Sequence, residues 1–448
     1  MTAAHGTSAG EAYFADLAGM LDGALQGGER YTASYSGEDT DFVRMNRGKV
    51  RQPGHVAQRY VTVRLIRGAR HASHSLSVTG DVAVDRPAIL AALGRLRDAL
   101  PDLADDPHLL LPDTVASSRV VRGASLPGSA ELVEAILAAA AGEDLVGILA
   151  AGPVQRGFAN SEGQRNWHEA TTFNLQWSLY HRADKAVKSA YAGFAWDAED
   201  FAARMGGARE RLALISRPPR SLEPGRYRAY IAPSAMEEIA GLLCWGAFSG
   251  RALATQQSPL ARMQGGARLD PRVSVAEDTT SGVAPGFQSE GFARPARVPL
   301  IGEGALVGSL VSPRTAREFG LATNGANGAE VPEALAMQGG DLPARDALAA
   351  LDTGLAIGNL WYLNYSDRPA CRMTGMTRFA TFWVENGTIV APVNVLRFDD
   401  TLYRMLGENL EALTTETELL LDSNTYGSRM LTSATLPGAL VKDLAFTL

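Results

Sequence analysis

The chain has 448 residues, 46% apolar and 20% charged, close to an ordinary soluble protein and long enough for two or three domains. Its 42 basic and 49 acidic residues give a net charge of 42 − 49 = −7, which argues against a general affinity for nucleic acid or an anionic membrane. Two cysteines, Cys244 and Cys371, exclude a disulfide framework and a four-cysteine zinc site, and this usage points to the cytoplasm.

The opening stretch, MTAAHGTSAGEAYFADLAGMLDG, lacks the basic and apolar regions of a secretory signal. No run of about 18 apolar residues is present to span a bilayer. Residues 11–26 read as a first surface helix. Alternating stretches at 31–36, 41–52 and 58–78 read as paired strands, the last a hairpin around Arg67-Gly68. Apolar spacings of three and four predict a helix over 86–100. A second helix is expected over 129–142, with Ser129 as a candidate N-cap and Gly142 as its stop. Residues 144–152 read as a buried strand, and 157–182 as a hairpin turning near Ser161-Glu162-Gly163. One more helix is expected over 197–214, and the proline-rich stretch 215–225 reads as a linker.

Beyond the linker the pattern changes. A helix is expected over 234–249, followed by many short strands, among them 305–311, 380–393 and 440–446. Asn386-Gly387 is a hairpin turn signal, because both central positions of such a turn need positive φ. Residues 399–414 read as a late helix capped by Asp399 or Asp400. With 46 glycines marking many turns, a mixed or β-rich fold is favoured over a helical bundle. The expected architecture is α+β: an N-terminal α+β domain over 1–215, then a β-rich C-terminal domain over 216–448 with one central helix.

Candidate chemistry is sparse. All seven histidines (positions 5, 55, 71, 74, 108, 168 and 181) lie in the first half. The second half therefore cannot build a histidine zinc site or a Ser-His-Asp triad by itself. His71 and His74 sit three apart in a strand and point to opposite faces. His168-Glu169 has no second histidine one turn on, and its surroundings are strand-like. Gly302, Gly304 and Gly308 read as a hairpin turn rather than a phosphate loop. In the central helix, Met236, Ile239, Ala240 and Leu243 form an apolar stripe. Ser234 and Glu237 have the spacing of a capping box, which would place Glu237 and Glu238 in the first turn.

Several segments together resemble the TldD/PmbA family. The stretch GFANSEG (157–163) is similar to the family's Asn-Ser-x-Gly turn. SAMEEIAGLL (234–243) resembles its central helix. FQSEGFARPARVPLIGEGAL (287–306) resembles its Asp-Ser-Glu-Gly segment, with Gln288 where Asp is usual. The most specific likeness is MTGMTRFATFWVENGTIVAPV (373–393). The resemblance implies a two-part peptidase. A TldD-type subunit carries H-E-x-x-x-H on the central helix and binds zinc. A TldE/PmbA-type subunit lacks the ligands and pairs with it in a heterodimer or higher oligomer. Such complexes cleave unfolded or small peptides, including precursors of modified peptide natural products.

Placed on that motif, Glu237 stands at the glutamate, while Met236 and Gly241 stand at the two histidine positions. Tyr426-Gly427-Ser428 matches the family's Cys-Gly. The resemblance therefore implies no metal in this chain, zinc on a TldD-like partner, and a subunit that is not catalytic alone. A stand-alone peptide-binding scaffold or homo-oligomer without proteolytic activity fits the same residues. A metal-free enzyme using Glu237 or Glu238 as base is a third reading. For peptide contacts the segments 286–292 and 361–383 are the expected places, with Glu290, Asn364, Tyr365 and Arg378 as candidate substrate-binding residues.

Overall fold

A computed structural model of the chain describes residues 7–123, 126–182 and 185–447. Met1 to Gly6, and with them His5, lie outside the described residues. Helix α1 (Ala9–Ala24) starts at Ser8, whose side chain accepts the Glu11 N–H. Strands β1 (Arg30–Asn46), β2 (Lys49–Arg67) and β3 (Arg70–Ser77) form an antiparallel meander. Helix α2 (Val82–Ala99), strand β4 (Ser118–Arg122) and helix α3 (Ser129–Ala139) follow. The hairpin β5 (Asp144–Asn160) and β6 (Arg165–Arg182) comes next, then β7 (Lys185–Gly193) and helix α4 (Ala198–Ile215). The strand order is β3-β2-β1-β5-β6, with β4 and β7 sharing the far edge of β6.

Strict alternation gives this sheet two unlike faces. One is apolar: Tyr31, Tyr35, Val61 and Val63 pack with α1 and α2, and Val43, Leu149, Leu175 and Trp177 pack with α3 and α4. The other is polar. Ser36, Arg156 and His168 make one cross-strand row, and Arg44, Ile148 and Gln176 another. Helix α4 also carries the apolar core across to Phe382, Val384 and Leu440 of the second half.

The second half opens with β8 (Gly225–Ile231) and α5 (Pro233–Leu243). Short helices at Gly250–Ala254 and Ala261–Gln264 lead to β9 (Val275–Asp278), β10 (Arg297–Gly302) and β11 (Ala305–Leu306). After another short helix (Pro313–Phe319) come β12 (Ala334–Met337) and the turn of helix Ala347–Leu351. The remaining strands are β13 (Gly354–Asp367), β14 (Arg372–Glu385), β15 (Thr388–Pro392), β16 (Arg397–Thr401), β17 (Leu410–Leu421) and β18 (Ser433–Phe446). Pairings β8–β13–β14–β16–β18–β8 close five of these strands on themselves. Helix α5 packs against that ring, with Ile239 and Leu243 in one cluster with Ile231, Leu355 and Val441. The fold is thus α+β, with a β-rich second half.

Several local expectations are corrected. Residues 41–52 are not one strand: Arg47 and Gly48 have φ of 53° and 63° and form a tight turn, of the same kind as Asn386-Gly387 at 51° and 71°. Residues 399–414 are not one helix: a single π-helical turn, Arg404–Glu408, lies between β16 and β17. Asp400, 1% exposed, accepts Thr401 N–H, Arg404 Nε–H and Ala445 N–H, which pins the chain to β18, and Gly407 leaves helical φ/ψ. The central helix ends at Leu243, not 249, and Gly246 has φ 85°. The stretch 305–311 pairs only at Ala305–Leu306, because Val307 and Gly308 both turn their amides onto the Leu300 carbonyl. Ser129 does not cap α3; Gly128 is the N-cap, and the Ser129 hydroxyl donates to Asp41.

The two halves meet along the polar face of the first sheet. Arg429, 6% exposed, donates to Thr40 Oγ1, Gly152 O, Thr172 O and Thr172 Oγ1 at 2.6–3.4 Å. Burial pulls its guanidinium down to about 10. Gln164 donates to Gly291 O, Asn174 to Leu421 O and Asp422 O, and Arg122 to the carbonyls of Thr279, Thr280 and Gly282. His168 Nε2 lies 3.0 Å from the Val283 carbonyl, so it carries the proton, and burial lowers this imidazole to about 4. Replacing Arg429 by Met removes four donor contacts to buried acceptors. We expect a loss on the order of 2–4 kcal/mol, measured as a lower urea midpoint, with faster proteolytic clipping within 422–432. An unchanged midpoint would show that the seam holds without this residue.

Candidate functional site

Helix α5 positions the site. Ala232 is its N-cap and Pro233 fills the first position, where no N–H is needed. Ser234 does not cap the helix. Its hydroxyl donates to Gly358 O in β13, so Glu237 and Glu238 fall in the second turn and no capping box forms. The C-terminal end is held from β13 and the turn after it: Tyr365 Oη donates to Leu242 O at 3.0 Å, and Arg368 Nη2 donates to Trp245 O at 2.5 Å. Ala235, Met236, Ile239, Ala240, Leu242 and Leu243 are buried.

The other side of α5 faces the polar face of the first sheet across a cavity of about 740 Å³. Glu237, Glu238, Gly241 and Trp245 form one wall, and Gln176 and Lys188 the other. Val331, Leu335, Leu363, Leu420 and Met430 supply apolar lining, and Asp422 adds a carboxylate. Glu333, also on the wall, is paired with the buried Arg294, which also binds Glu277. Burial pushes the Glu237 carboxyl up to about 7, against the pull of Lys188 and with a further push from Glu238, Asp422 and Glu418. Burial raises Glu238 as well, again opposed by Lys188. Near neutrality Glu237 can therefore donate as well as accept a hydrogen bond. Burial pushes the Cys244 thiol up to about 12, which leaves it unreactive.

The motif positions do not converge on a metal. Five residues of α-helix turn the side chains at 236 and 241 about 140° apart. Met236 accordingly lies in the core, 1% exposed, and Gly241 opens on the cavity with nothing within 4 Å of where a Cβ would be. A buried thioether and a residue without a side chain do not fit zinc, which takes imidazole, carboxylate or thiolate. Among the described residues no group of three or more His, Cys, Asp or Glu side chains is placed to hold a metal. Tyr426, at the position matched to the family's cysteine, is 97% exposed.

The candidate peptide-contact residues are spread out. Tyr365 reaches α5, and its neighbour Leu363 lines the cavity. Asn364 is exposed and accepts the Tyr365 N–H. Arg378 stacks 3.8 Å above Trp361. Glu290 does not line the cavity: it ion-pairs with Arg64 of β2 at 2.9 Å. Gln288, which stands where the family usually has Asp, accepts the Glu290 N–H on its Oε1. Lys188, Gln176, Asp422 and Trp245 escaped the sequence reading. Lysine is rare here, found only at 49, 185, 188 and 442, and Lys188 alternates onto the polar face; those two signals would have marked it.

Residues 224–448 match the family described as the PmbA/TldA metallopeptidase C-terminal domain. Three solved structures share the fold across almost the whole chain. TldE from Thermococcus kodakarensis is 14% identical, with a TM-score of 0.77 over 97% of this chain and 100% of its own. A candidate DNA-gyrase modulator from Thermotoga maritima is 15% identical, with a TM-score of 0.76 over 97% and 99%. Another from Bacteroides thetaiotaomicron is 16% identical, with a TM-score of 0.77 over 98% of each chain. No curated protein matches the sequence significantly.

The raised Glu237 carboxyl makes stability depend on pH. Its ordinary value is 4.5 and its folded value about 7. The folded state therefore holds the proton more tightly, and stability is lost as pH rises from 4.5 through 7. Glu237→Gln should leave stability nearly unchanged at acid pH and increase it above pH 7 by on the order of 1–3 kcal/mol. Thermal melts of both proteins across that range check this; parallel curves would place Glu237 in free contact with solvent.

Proposed function

The chain belongs to the PmbA/TldD metallopeptidase family, and from that premise we propose that it is the non-metal, TldE/PmbA-like subunit of a heteromeric zinc peptidase. The observation that carries this reading is the state of α5. It keeps the motif glutamate, Glu237, at the wall of an inter-sheet cavity, while Met236 is turned into the core and Gly241 has no side chain to offer. The zinc and the general base belong to a TldD-like partner, where metal-bound water would be the nucleophile. This chain supplies half of the chamber and is not catalytic alone.

Its own residues bind and orient. Leu363, Leu420, Val331 and Met430 take apolar side chains of an extended peptide. Glu237 and Gln176 offer hydrogen bonds to peptide groups, and Glu238 and Asp422 favour an amine. Such a lining is tolerant of sequence, which suits unfolded or small peptides, including precursors of modified peptide natural products, in the cytoplasm. That Thermococcus TldE shares the fold end to end supports the assignment to this side of the pair.

Purified chain is assayed alone and with a TldD-like chain that has an intact H-E-x-x-x-H. The expected result is a stable mixed complex, zinc only with the partner, and cleavage of an unfolded peptide only by the mixture. Stoichiometric zinc on the lone chain, or cleavage by it, would overturn the proposal. A homo-oligomer that ignores every such partner but still binds peptide would favour the scaffold reading.

A further inference from the structure

The cavity beside α5 has a neighbour at Lys188. A second cavity of about 510 Å³ shares Gln176 and Lys188 with it and runs on along the polar face of the first sheet. Its lining includes Arg44, Arg51, Gln52, Ile148 and Ser178, and it contains no Asp or Glu. The strand register explains the arrangement. Gln52, Arg44, Ile148 and Gln176 form one cross-strand row over four strands. The β1–β2 ladder slips by one residue between Arg44 and Met45, which leaves Arg51 as the extra, unpaired residue of a β-bulge. Bulges re-aim side chains, and this one adds a second guanidinium beside Arg44.

Neither Arg44 nor Arg51 forms an ion pair or side-chain hydrogen bond among the described residues. The chain as a whole carries seven more carboxylates than cations. Elsewhere Arg64 pairs with Glu290, Arg204 with Asp200 and Glu418, and Arg294 with Glu277 and Glu333. Two unpaired guanidinium groups and an ammonium around one recess leave a concentration of positive charge that planar carboxylates satisfy best. The two adjoining cavities therefore differ in charge: Glu237, Glu238 and Asp422 line one, and Arg44 and Arg51 the other.

We propose that the Arg44–Arg51–Lys188 recess is a carboxylate-binding subsite, and that it selects extended peptides with acidic groups toward one end and fixes their direction in the chamber. This rests on the peptide-holding role proposed above. Two sources supply the chemistry, acidic side chains and a free C-terminal carboxylate.

The test uses the full chain and fluorescence anisotropy with labelled ten-residue apolar peptides. One carries three Glu near an amidated C-terminus, one carries three Gln there, one is the Gln peptide with a free carboxylate, and one carries three Lys. The Glu peptide should bind at least about tenfold tighter than the amidated Gln peptide at low salt, with the advantage shrinking as salt rises. A matching gain for the free-carboxylate peptide identifies the terminus as sufficient. The Arg44→Gln/Arg51→Gln double variant should erase the advantage and leave Gln-peptide affinity unchanged. The Arg44→Glu/Arg51→Glu variant should transfer the preference to the Lys peptide. Both sites are exposed, and thermal melts confirm that each variant is folded. Equal affinity of wild type for Glu and Gln peptides would overturn the subsite while leaving the peptide-holding role standing. Failure of every peptide to bind would overturn both.

Discussion

The Arg429 guanidinium, 6% exposed, reaches across the seam between the sheets and gives its protons to Thr40, Gly152 and Thr172. It does so because the first sheet presents a polar face to the second half, and each donor or acceptor there needs a partner once water leaves. Gln164, Asn174, Arg122 and His168 meet the same constraint in the opposite sense, each using a side chain of the first half to bind a backbone carbonyl of the second. Side-chain-to-carbonyl bonding of this kind holds loops 279–291 and 421–432 in place without a regular ladder. Where the loops do not reach, around Gln176 and Lys188, the polar face remains open, and the cavity is that opening.

Helix α5 closes the cavity from the other side, and its helical geometry decides what it contributes. Burying Met236, Ile239 and Leu243 against the strand ring fixes the rotation of the helix. That rotation directs Glu237, Glu238 and Gly241 to the cavity. Met236 is spent on the core and Gly241 brings no side chain, so neither motif position offers a metal ligand. The carboxylate left between them is raised by burial. Its value of about 7 suits a group that exchanges hydrogen bonds with a peptide near neutrality.

Local elements with strong periodicity were legible in the residues. Helices α1, α2 and α4, the β5–β6 hairpin and the Asn386-Gly387 turn follow from apolar spacing, caps and turn chemistry. What was not legible depends on partners far away in sequence. Residues 399–414 have a helical apolar pattern, yet a buried Asp400 tied to Ala445 leaves only the turn Arg404–Glu408 helical, between two strands. Ser234 has a cap's position, yet the Gly358 carbonyl claims its hydroxyl. For the site, the motif helix was recognisable, but the opposing wall was not. Lys188, Gln176, Arg44 and Arg51 face α5 or its extension only because strand parity and one bulge put them there. Register of that kind is a property of pairing, and a single sequence carries it weakly.

The central claim is that the cavity between α5 and the first sheet holds peptide for a metal-bearing partner. Hydrogen exchange in the assembled complex, with and without an unfolded peptide that the partner can bind but not cleave, tests it most directly. The account predicts slowed exchange in 237–245 and 420–434, two of the segments that line the cavity. Peptide bound to the complex with exchange unchanged in both segments would contradict it.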